Sequence, residues 1–373
     1  MDRRKALKLT GTGGLGAILA AGMAPAFSQG KKEWRMQQTW GKTAPGLARG
    51  GNVFAEYVTK ATGGSLTIRE FSAGEIVPPF QTMDAVANGT FQMGYGYVTY
   101  WAGQIPAMNY LGTLPFGLTA QEHNAWFSHG GGNELAEKLY GKLGVKFFSA
   151  GNNPIQPAGW YNKEIKAMSD YKGLKMRIGG LGGKVLQAMG GTPVSMPLGE
   201  VPQAMQAGAI DAIEFVGPVA DLAVGLHKVA KFYYWPGWLE PSGPYDIFIN
   251  EKAWATLNPA EQEIIRVGAK YASLEMLSNY WARNSQAFNQ MVGDLKVQVR
   301  QIPDDALRQM AEVSWKVIEA EAKDADSKEV LASVMKFRRE ILPYMRLSEY
   351  DFMRVRNLHE ILNGLLEEGR YIN

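Results

Sequence analysis

The chain has 373 residues, 46% of them hydrophobic, and it contains no cysteine. The lack of cysteine excludes thiol catalysis, disulfides and thiolate metal sites. The formal net charge is +3, but residues 1–26 contribute four basic residues and one acidic residue, so the remainder has 35 of each sign (39 − 4 and 36 − 1). A neutral remainder gives no electrostatic reason to expect nucleic acid or an anionic membrane as a partner.

Residues 1–28 have the pattern of an export signal. They combine a basic start, an apolar run from about residue 9 to residue 21 and the small-residue sequence Ala24-Pro25-Ala26. The apolar run is too short for a membrane span. The pair Arg3-Arg4 favours the twin-arginine route, with an ordinary secretory signal as the alternative. No cysteine is present for lipid attachment, so we expect a mature protein that is free in the periplasm.

The N-terminal third of the chain alternates strands with helices. Strands are predicted at 32–38, 66–71 and 91–97, with helices at 51–62 and 79–88 between them. This order is typical of an open α/β sheet that binds its ligand at the carboxyl ends of its strands.

An aromatic cluster and a polar loop follow. The aromatic side chains at the end of the third strand include Tyr100, and such residues are more often core than binding wall, although a small-acid pocket needs some apolar lining. A strand at 145–149 leads into the polar loop 151–157, which contains Asn153 and Gln156.

The stretch 174–217 gives the clearest local signal. Residues 175–178 alternate as a strand, and a glycine-rich turn leads into a helix predicted to begin at Lys184. A helix N-terminus presents unpaired N–H groups, and Arg177 adds a donor fork that matches a carboxylate. The stretch therefore suits a small anion. The alternative is that the glycines only allow close packing of strand and helix.

Nucleotide binding is not supported by these glycines. A P-loop needs Ser or Thr directly after its lysine, and Val185 follows Lys184. A helix at 200–207 and an alternating strand at 210–216 complete a β-α-β unit. On that strand, Glu214 is predicted to point away from the face of its neighbour and to be mainly structural.

The C-terminal part is predicted to be mainly helical. Asn258-Pro259 with Glu261 is a strong helix start, and the helix is predicted to continue to about Phe288, ~45 Å in length and long enough to lie across two lobes. A strand at 296–301 and helices at 304–323 and 328–342 follow. Pro343 is predicted to end the last of these, and a terminal helix is predicted at 348–368.

Several segments resemble the solute-binding proteins of tripartite ATP-independent periplasmic (TRAP) transporters, most closely the branch that receives 2-oxo acids and lactate. The segments read GLKMRIGG from Gly173, EVPQAMQAGAIDAIEFVGP from Glu200, YYWPGWLEPSGP from Tyr233, FSAGEIVPP from Phe71 and HGGG from His129. The similarity extends from about Trp34 to the C-terminus.

The resemblance implies an α/β, two-lobed periplasmic-binding-protein fold with hinge strands and a long helix across both lobes. Lobe I is expected to comprise residues 31–150 and 241–300, and lobe II residues 151–240 and 301–342. Residues 343–373 form a C-terminal helix that packs either on a second subunit, giving a homodimer, or on its own chain.

The resemblance also implies the site residues. Gln156 supplies a side-chain oxygen, Phe215 a backbone carbonyl and Glu240 a carboxylate to a metal ion, and these hard ligands suit Na⁺ or Ca²⁺. Arg177, Gln156, Tyr100, Phe215 and Asn153 are the expected substrate contacts. A 2-oxo or 2-hydroxy acid completes such a cage by chelation. Relatives often have Trp in place of Phe215, so the wall beside the ligand differs.

The implied function is a receptor that closes on a small monocarboxylate of the pyruvate or lactate type and presents it to the TRAP membrane permease. Two alternatives remain open from the residues. One is a periplasmic metal-dependent lyase or isomerase that uses Glu240 or Glu214 as its base. The other is a sensory or scaffold subunit without affinity for small ligands.

Overall fold

The computed structural model describes residues 30–196 and 200–362, and only the backbone for 357–362. The predicted export signal at 1–28 and the end of the predicted terminal helix lie outside the described residues. Within the described ranges, no helix combines the length and apolarity needed to cross a bilayer.

Two mixed β-sheets form the framework of a two-lobed α/β protein. The strands are, in chain order, β1 (Lys32–Gln38), β2 (Leu66–Phe71), β3 (Met93–Tyr97), β4 (Val145–Gly151), β5 (Gly159–Tyr161), β6 (Lys175–Arg177), β7 (Thr192–Val194), β8 (Ala212–Ile213), β9 (Phe232–Trp235), β10 (Tyr245–Asn250) and β11 (Gln298–Gln301). The first sheet has the order β2-β1-β3-β10-β4, and the second has the order β11-β9-β5-β8-β6-β7.

Helices cover both sheets. They are, in chain order, α1 (Arg49–Ala61), α2 (Thr82–Ala87), α3 (Met108–Gly112), α4 (Ala120–His129), α5 (Gly132–Gly141), α6 (Gly180–Ala188), α7 (Val201–Gln206), α8 (Pro218–Val224), α9 (Glu251–Trp254), α10 (Pro259–Gly293), α11 (Asp304–Glu321), α12 (Ala325–Met345) and α13 (Asp351–Leu362).

The first sheet has a hydrophobic core on each face. The side chains of β10 alternate between the two cores: Phe248 packs in one, and Ile247 and Ile249 pack in the other. Successive side chains of a strand point to opposite faces, so a strand buried on both faces reads as an almost continuous apolar run. β10 is antiparallel to both β3 and β4, whereas β1 is parallel to β2 and β3.

The chain passes between the sheets through two short segments and one long helix. Residues 152–158 connect β4 to β5, and residues 236–244 connect β9 to β10. Helix α10 begins at the predicted capping box, in which the Asn258 side chain and the Glu261 carboxylate each accept a backbone N–H. It packs on α1 and β4 of the first lobe and on α8 of the second, so the prediction of a helix across both lobes is confirmed.

The structure differs from the predicted lobe boundaries in two places. Strand β11 lies mostly within the range expected for lobe I, but it pairs in parallel with β9 at the edge of the second sheet. Helix α12 was assigned to lobe II, but it packs on α3, α4 and α5 of the first lobe, where Val330 and Val334 join the same core as Trp126. The chain therefore returns to the first lobe through α11, which contributes Met310 to a core of the second lobe and Ile318 to a core of the first.

The predicted end of a helix at Pro343 is wrong. Pro343 lies inside α12, which continues to Met345 and then through a π-helical turn at 346–350 into α13. Proline removes one backbone donor and crowds the preceding turn. The residue lies on an exposed part of the helix, where water can satisfy the carbonyl that loses its partner.

Candidate functional site

A pocket lies between the two lobes. The first lobe contributes Thr99, Asn109, Thr113 and Pro115, the second contributes Ile178, the start of α6 and Glu214, and the connection from β9 to β10 contributes Leu239 and Glu240. The lobes touch around it: Leu181 of α6 packs into a core of the first lobe, and the Phe116 N–H donates to the Trp238 carbonyl at 2.8 Å. The site is therefore assembled from both lobes and from the segments that join them.

The two connecting segments are joined by hydrogen bonds at Glu240 and Gln156. The Gln156 backbone N–H donates to the Glu240 carbonyl at 3.2 Å, and Gln156 Nε2 donates to Glu240 Oε2 at 2.9 Å. Tyr97 at the end of β3 donates its hydroxyl to the same Oε2 at 2.7 Å. A Cβ on Gly237 would lie 1.7 Å from the Gln156 carbonyl oxygen, so glycine at this position permits the close approach of the segments.

Several buried oxygens around this pair lack donors. Gln156 Oε1, Asn153 Oδ1 and Glu214 Oε1 have no hydrogen-bond partner within the described residues. Phe215, the other predicted ligand on this segment, is 8% exposed and follows Glu214 after the end of β8. A buried acceptor without a donor costs free energy, so such groups normally have a partner. A group of unpartnered oxygens that includes a carboxylate has the chemistry of a hard-cation site.

Glu214 lines the pocket, whereas the sequence predicts a mainly structural residue that points away from the face of its neighbour. That prediction requires a strand as far as residue 216, but β8 ends at Ile213. The alternation of side chains between the two faces of a strand therefore does not extend to Glu214. The residue is 6% exposed and lines the pocket together with Glu240. The sequence does show an acid within the largely apolar run 210–216, and a carboxylate buried at such a place needs a partner.

The two buried carboxyls influence each other. Burial raises the pKa of Glu214 well above its usual range, the charge of Glu240 raises it further, and the Arg177 guanidinium opposes the rise. Burial also raises the pKa of Glu240, against the hydrogen bonds from Tyr97 and Gln156 and the charge of Arg177. Since both groups resist ionisation, a bound cation would stabilise their charged forms.

Arg177 is the last residue of β6 and directly precedes Ile178, which lines the pocket. The guanidinium donates from Nη1 to the Glu214 carbonyl at 3.3 Å, and this is its one hydrogen bond within the described residues. No carboxylate oxygen of the described chain lies within 4.0 Å of its nitrogens. The half-buried fork therefore retains donors for an external carboxylate.

Helix α6 begins at Gly180, four residues before the predicted start at Lys184. The glycine run thus forms the cap and first turn of the helix, not a preceding loop. A Cβ on Gly182 would lie 2.7 Å from Leu239 Cδ2, which explains how the helix can pack so closely on the connecting segment. No side chain caps the helix at Gly179. The glycines therefore allow close packing of α6, and the first N–H groups of the helix also have no side-chain cap.

The aromatic cluster divides into core and wall. Tyr95 and Trp101 are buried, whereas Tyr100 is 40% exposed, with its ring 5.4 Å from Tyr97 and 5.3 Å from the exposed ring of Phe80. Tyr100 is therefore accessible and follows Thr99, which lines the pocket, and its role as a substrate contact stays a prediction. Tyr97, which contacts Glu240 directly, was not singled out from the sequence because its alternation is that of an ordinary core strand.

Asp221 holds the segment that carries Glu214 and Phe215. Its carboxylate accepts from the Gly217 N–H at 3.0 Å and from Trp160 Nε1 at 2.8 Å. The loop after β8 is therefore fixed at its far end by a fully buried acid.

The donor set is unlike a transition-metal centre. Within the described residues, no group of three or more His, Cys, Asp and Glu side chains is placed to hold a metal ion. The candidate oxygens are instead the Glu214 and Glu240 carboxylates, which line the pocket, and the predicted ligands Gln156 and Phe215, which are not among its lining residues. Such a mixed oxygen set suits Na⁺ or Ca²⁺, with remaining coordination positions left to a ligand.

Comparison with known proteins gives a consistent result. The family described as bacterial extracellular solute-binding protein, family 7, matches residues 37–324. A monocarboxylate 2-oxoacid-binding periplasmic protein of Nostoc sp. is 39% identical over 323 residues, which is 86% of this chain and 87% of the relative.

Solved structures of similar sequence share the fold. A TRAP transporter solute-binding protein from Bordetella bronchiseptica is 35% identical with a TM-score of 0.83, covering 88% of this chain and 100% of its own, and is described as a mixed-occupancy dimer with copurified calcium and picolinate. A TRAP periplasmic solute-binding protein from Pseudoalteromonas atlantica, with bound sodium and pyruvate, is 33% identical with a TM-score of 0.82, covering 87% of this chain and 99% of its own.

Proposed function

Because the chain belongs to the family 7 bacterial extracellular solute-binding proteins of TRAP transporters, we propose that it is a periplasmic receptor for a small 2-oxo or 2-hydroxy monocarboxylate of the pyruvate or lactate type. The acid binds together with Na⁺ or Ca²⁺ and is passed to the transporter's membrane permease. The family consists of receptors, so no catalytic residue is assigned.

The observation that carries the proposal is the set of unpartnered oxygens beside Glu240. Glu240, Gln156 Oε1, Glu214 Oε1 and the Phe215 carbonyl are the proposed cation ligands. Asn153 Oδ1 lies close to Gly243 and Tyr97, where a Cβ on Gly243 would approach it to 2.1 Å, and we assign it to the wall of the site.

The proposed binding mode uses two anchors. The acid's carboxylate and its neighbouring oxygen complete the coordination of the cation, and Arg177 holds the carboxylate through its remaining N–H groups. The cation offsets the charges of Glu214 and Glu240, which would otherwise repel an anionic ligand. Tyr100 and Phe215 form the aromatic side of the pocket. Ion and acid therefore bind as a unit.

Closure of the lobes is the proposed signal to the permease. Ligand contacts from both lobes stabilise the closed arrangement, so a loaded receptor differs in shape from an empty one. The contacts between Leu181 and the first lobe, and between Phe116 and Trp238, are of the kind that opening would break.

Calorimetric titration of pyruvate and of lactate into chelator-treated protein tests this function. With Ca²⁺ or Na⁺ restored, at least one acid should bind at one site per chain, and without the ion binding should be strongly weakened. Thermal unfolding gives a second readout, since a ligand at a hundredfold excess over its Kd adds ~2.7 kcal/mol to the unfolding free energy. Turnover of the acid would instead favour an enzyme, and no binding under any condition would favour a scaffold subunit.

We also propose that the C-terminal region forms a homodimer contact. The residues beyond Pro343 expose large apolar side chains, with Leu347 75%, Tyr350 66% and Phe352 63% exposed. Within the described residues, the main neighbour of α13 is the π-helical turn before it. An exposed apolar patch on an extended helix is typical of a surface that is covered by a partner.

A further inference from the structure

The pocket has a second polar wall that the cation and Arg177 do not use. It is formed by Asn109 and Thr113 of the first lobe and by the start of α6, which faces them. Thr113 is 7% exposed, and its hydroxyl has no hydrogen-bond partner within the described residues. Thr113 also lines a neighbouring cavity with His123 and Ser242, and a buried hydroxyl without a partner is one that a ligand group can satisfy.

The start of α6 supplies donors to the same wall. The helix has nine residues, no side chain caps it at Gly179, and its first residues through Gly182 line the pocket. The first N–H groups of a helix have no acceptor within the helix. The Asn109 Oδ1 atom lies 3.5 Å from the position that a Cβ on Gly180 would occupy, so this wall closes tightly across the cleft. Polar groups from both lobes thus line the same small pocket.

A plain methyl group would leave these donors unsatisfied. The space is also unsuited to a second carboxylate, because Glu214, Glu240 and the first carboxylate already balance or exceed the positive charge of Arg177 and a cation. The group that fits is an uncharged oxygen. A hydroxyl accepts from the helix N–H groups and can either donate to or accept from Thr113.

We propose that this receptor prefers 2-oxo or 2-hydroxy acids with a hydroxyl on carbon 3, such as 3-hydroxypyruvate or glycerate, and that Thr113 is a specificity-determining residue for that hydroxyl. The inference rests on the proposed function, because the cation and Arg177 fix the other end of the acid. It narrows the substrate class from simple 2-oxo and 2-hydroxy monocarboxylates to those that also carry a hydroxyl on carbon 3.

The test compares Kd values for pyruvate and 3-hydroxypyruvate by calorimetry, in the presence of Ca²⁺ and separately of Na⁺. The wild type should bind 3-hydroxypyruvate about tenfold more tightly, the size expected when a buried polar group gains its partner. In Thr113→Val the ratio of the two Kd values should fall to near one. In Thr113→Ser, which keeps the hydroxyl, the preference should remain.

Thr39→Val is the matched control. Thr39 is also a buried threonine with an unpartnered hydroxyl, but it does not line the pocket, so its loss should leave the ratio at the wild-type value. Equal or tighter binding of pyruvate by the wild type overturns the inference alone, as does an unchanged ratio in Thr113→Val. If neither acid binds with either ion, the proposed function fails and this inference fails with it.

Discussion

Gln156 Nε2 donates to Glu240 Oε2 at 2.9 Å, and this hydrogen bond fixes the orientation of the Gln156 amide. The amide oxygen, Oε1, is buried and has no donor within the described residues. One carboxylate thus orients the amide oxygen that sits beside it. The two residues come from different connecting segments, so the pair exists only when both segments are in place.

Glu240→Gln tests the role of the cation. The substitution keeps the shape of the side chain but removes its charge, so acid affinity should fall and its dependence on added Ca²⁺ or Na⁺ should largely disappear. Because coupling between two ligands is reciprocal, the acid should also raise ion affinity in the wild type by the same factor that the ion raises acid affinity. Calorimetry in both orders of addition measures this. Undiminished acid binding by chelator-treated wild type would contradict the metal-bridged mode.

Arg177→Lys tests the carboxylate anchor. Charge is kept, but lysine lacks the planar pair of donors, so acid affinity should fall about tenfold to a hundredfold, in line with a loss of about 1.5–3 kcal/mol for a charge-assisted hydrogen bond. Arg308→Lys is the control, because its guanidinium is 73% exposed on α11. A wild-type Kd in the Arg177 variant would remove that residue from the site.

The pH dependence of ion binding should follow from Glu214. Its pKa is raised by burial and by Glu240, so lowering the pH protonates it before an ordinary glutamate. A cation competes with those protons, and its affinity should therefore fall as pH is lowered and recover as pH is raised. In Glu214→Gln the affinity should be lower and its pH dependence shallower. Isothermal titrations of Ca²⁺ in the absence of acid test this, and the same pH profile in the variant would count against a ligand role.

The proposed dimer contact can be tested with charged substitutions. Leu347→Asp and Phe352→Asp place a charge on the exposed apolar surface of the C-terminal region and should convert a dimer to a monomer in light-scattering measurements. Leu274→Asp on α10 is the control, since Leu274 is 67% exposed but lies outside that region. A monomeric wild type, or variants that remain dimeric, would contradict the assignment.

The sequence predicts a helix or strand well where the residues that define its start or end lie next to one another in the chain. The long helix is the clearest case, because Asn258, Pro259 and Glu261 form its start from residues within one turn. The end of β8 could not be predicted in this way. Both neighbouring strands, β5 and β6, pair with β8 only as far as Ile213, so Glu214 lies just beyond the ladder.

The predicted lobe boundaries show the same difference between local and long-range information. The pattern of α12 indicates an amphipathic helix, but nothing in that pattern says which core receives Val330 and Val334. The candidate ligands Gln156, Phe215 and Glu240 came from a family resemblance. Without it, their spacing in the sequence gives no sign that the fold brings them to one cleft.

The position of β10 between β3 and β4 has a consequence for how the chain folds. The middle of the first sheet is filled by a strand made only after most of the second lobe has been synthesised. Until Asn250 is available, β3 and β4 each lack a neighbour and present an edge open to mispairing. The second sheet waits in turn for β11. Neither sheet can be completed until strands from late in the chain have been made, so we expect slow, long-range closure of both lobes from partly folded intermediates.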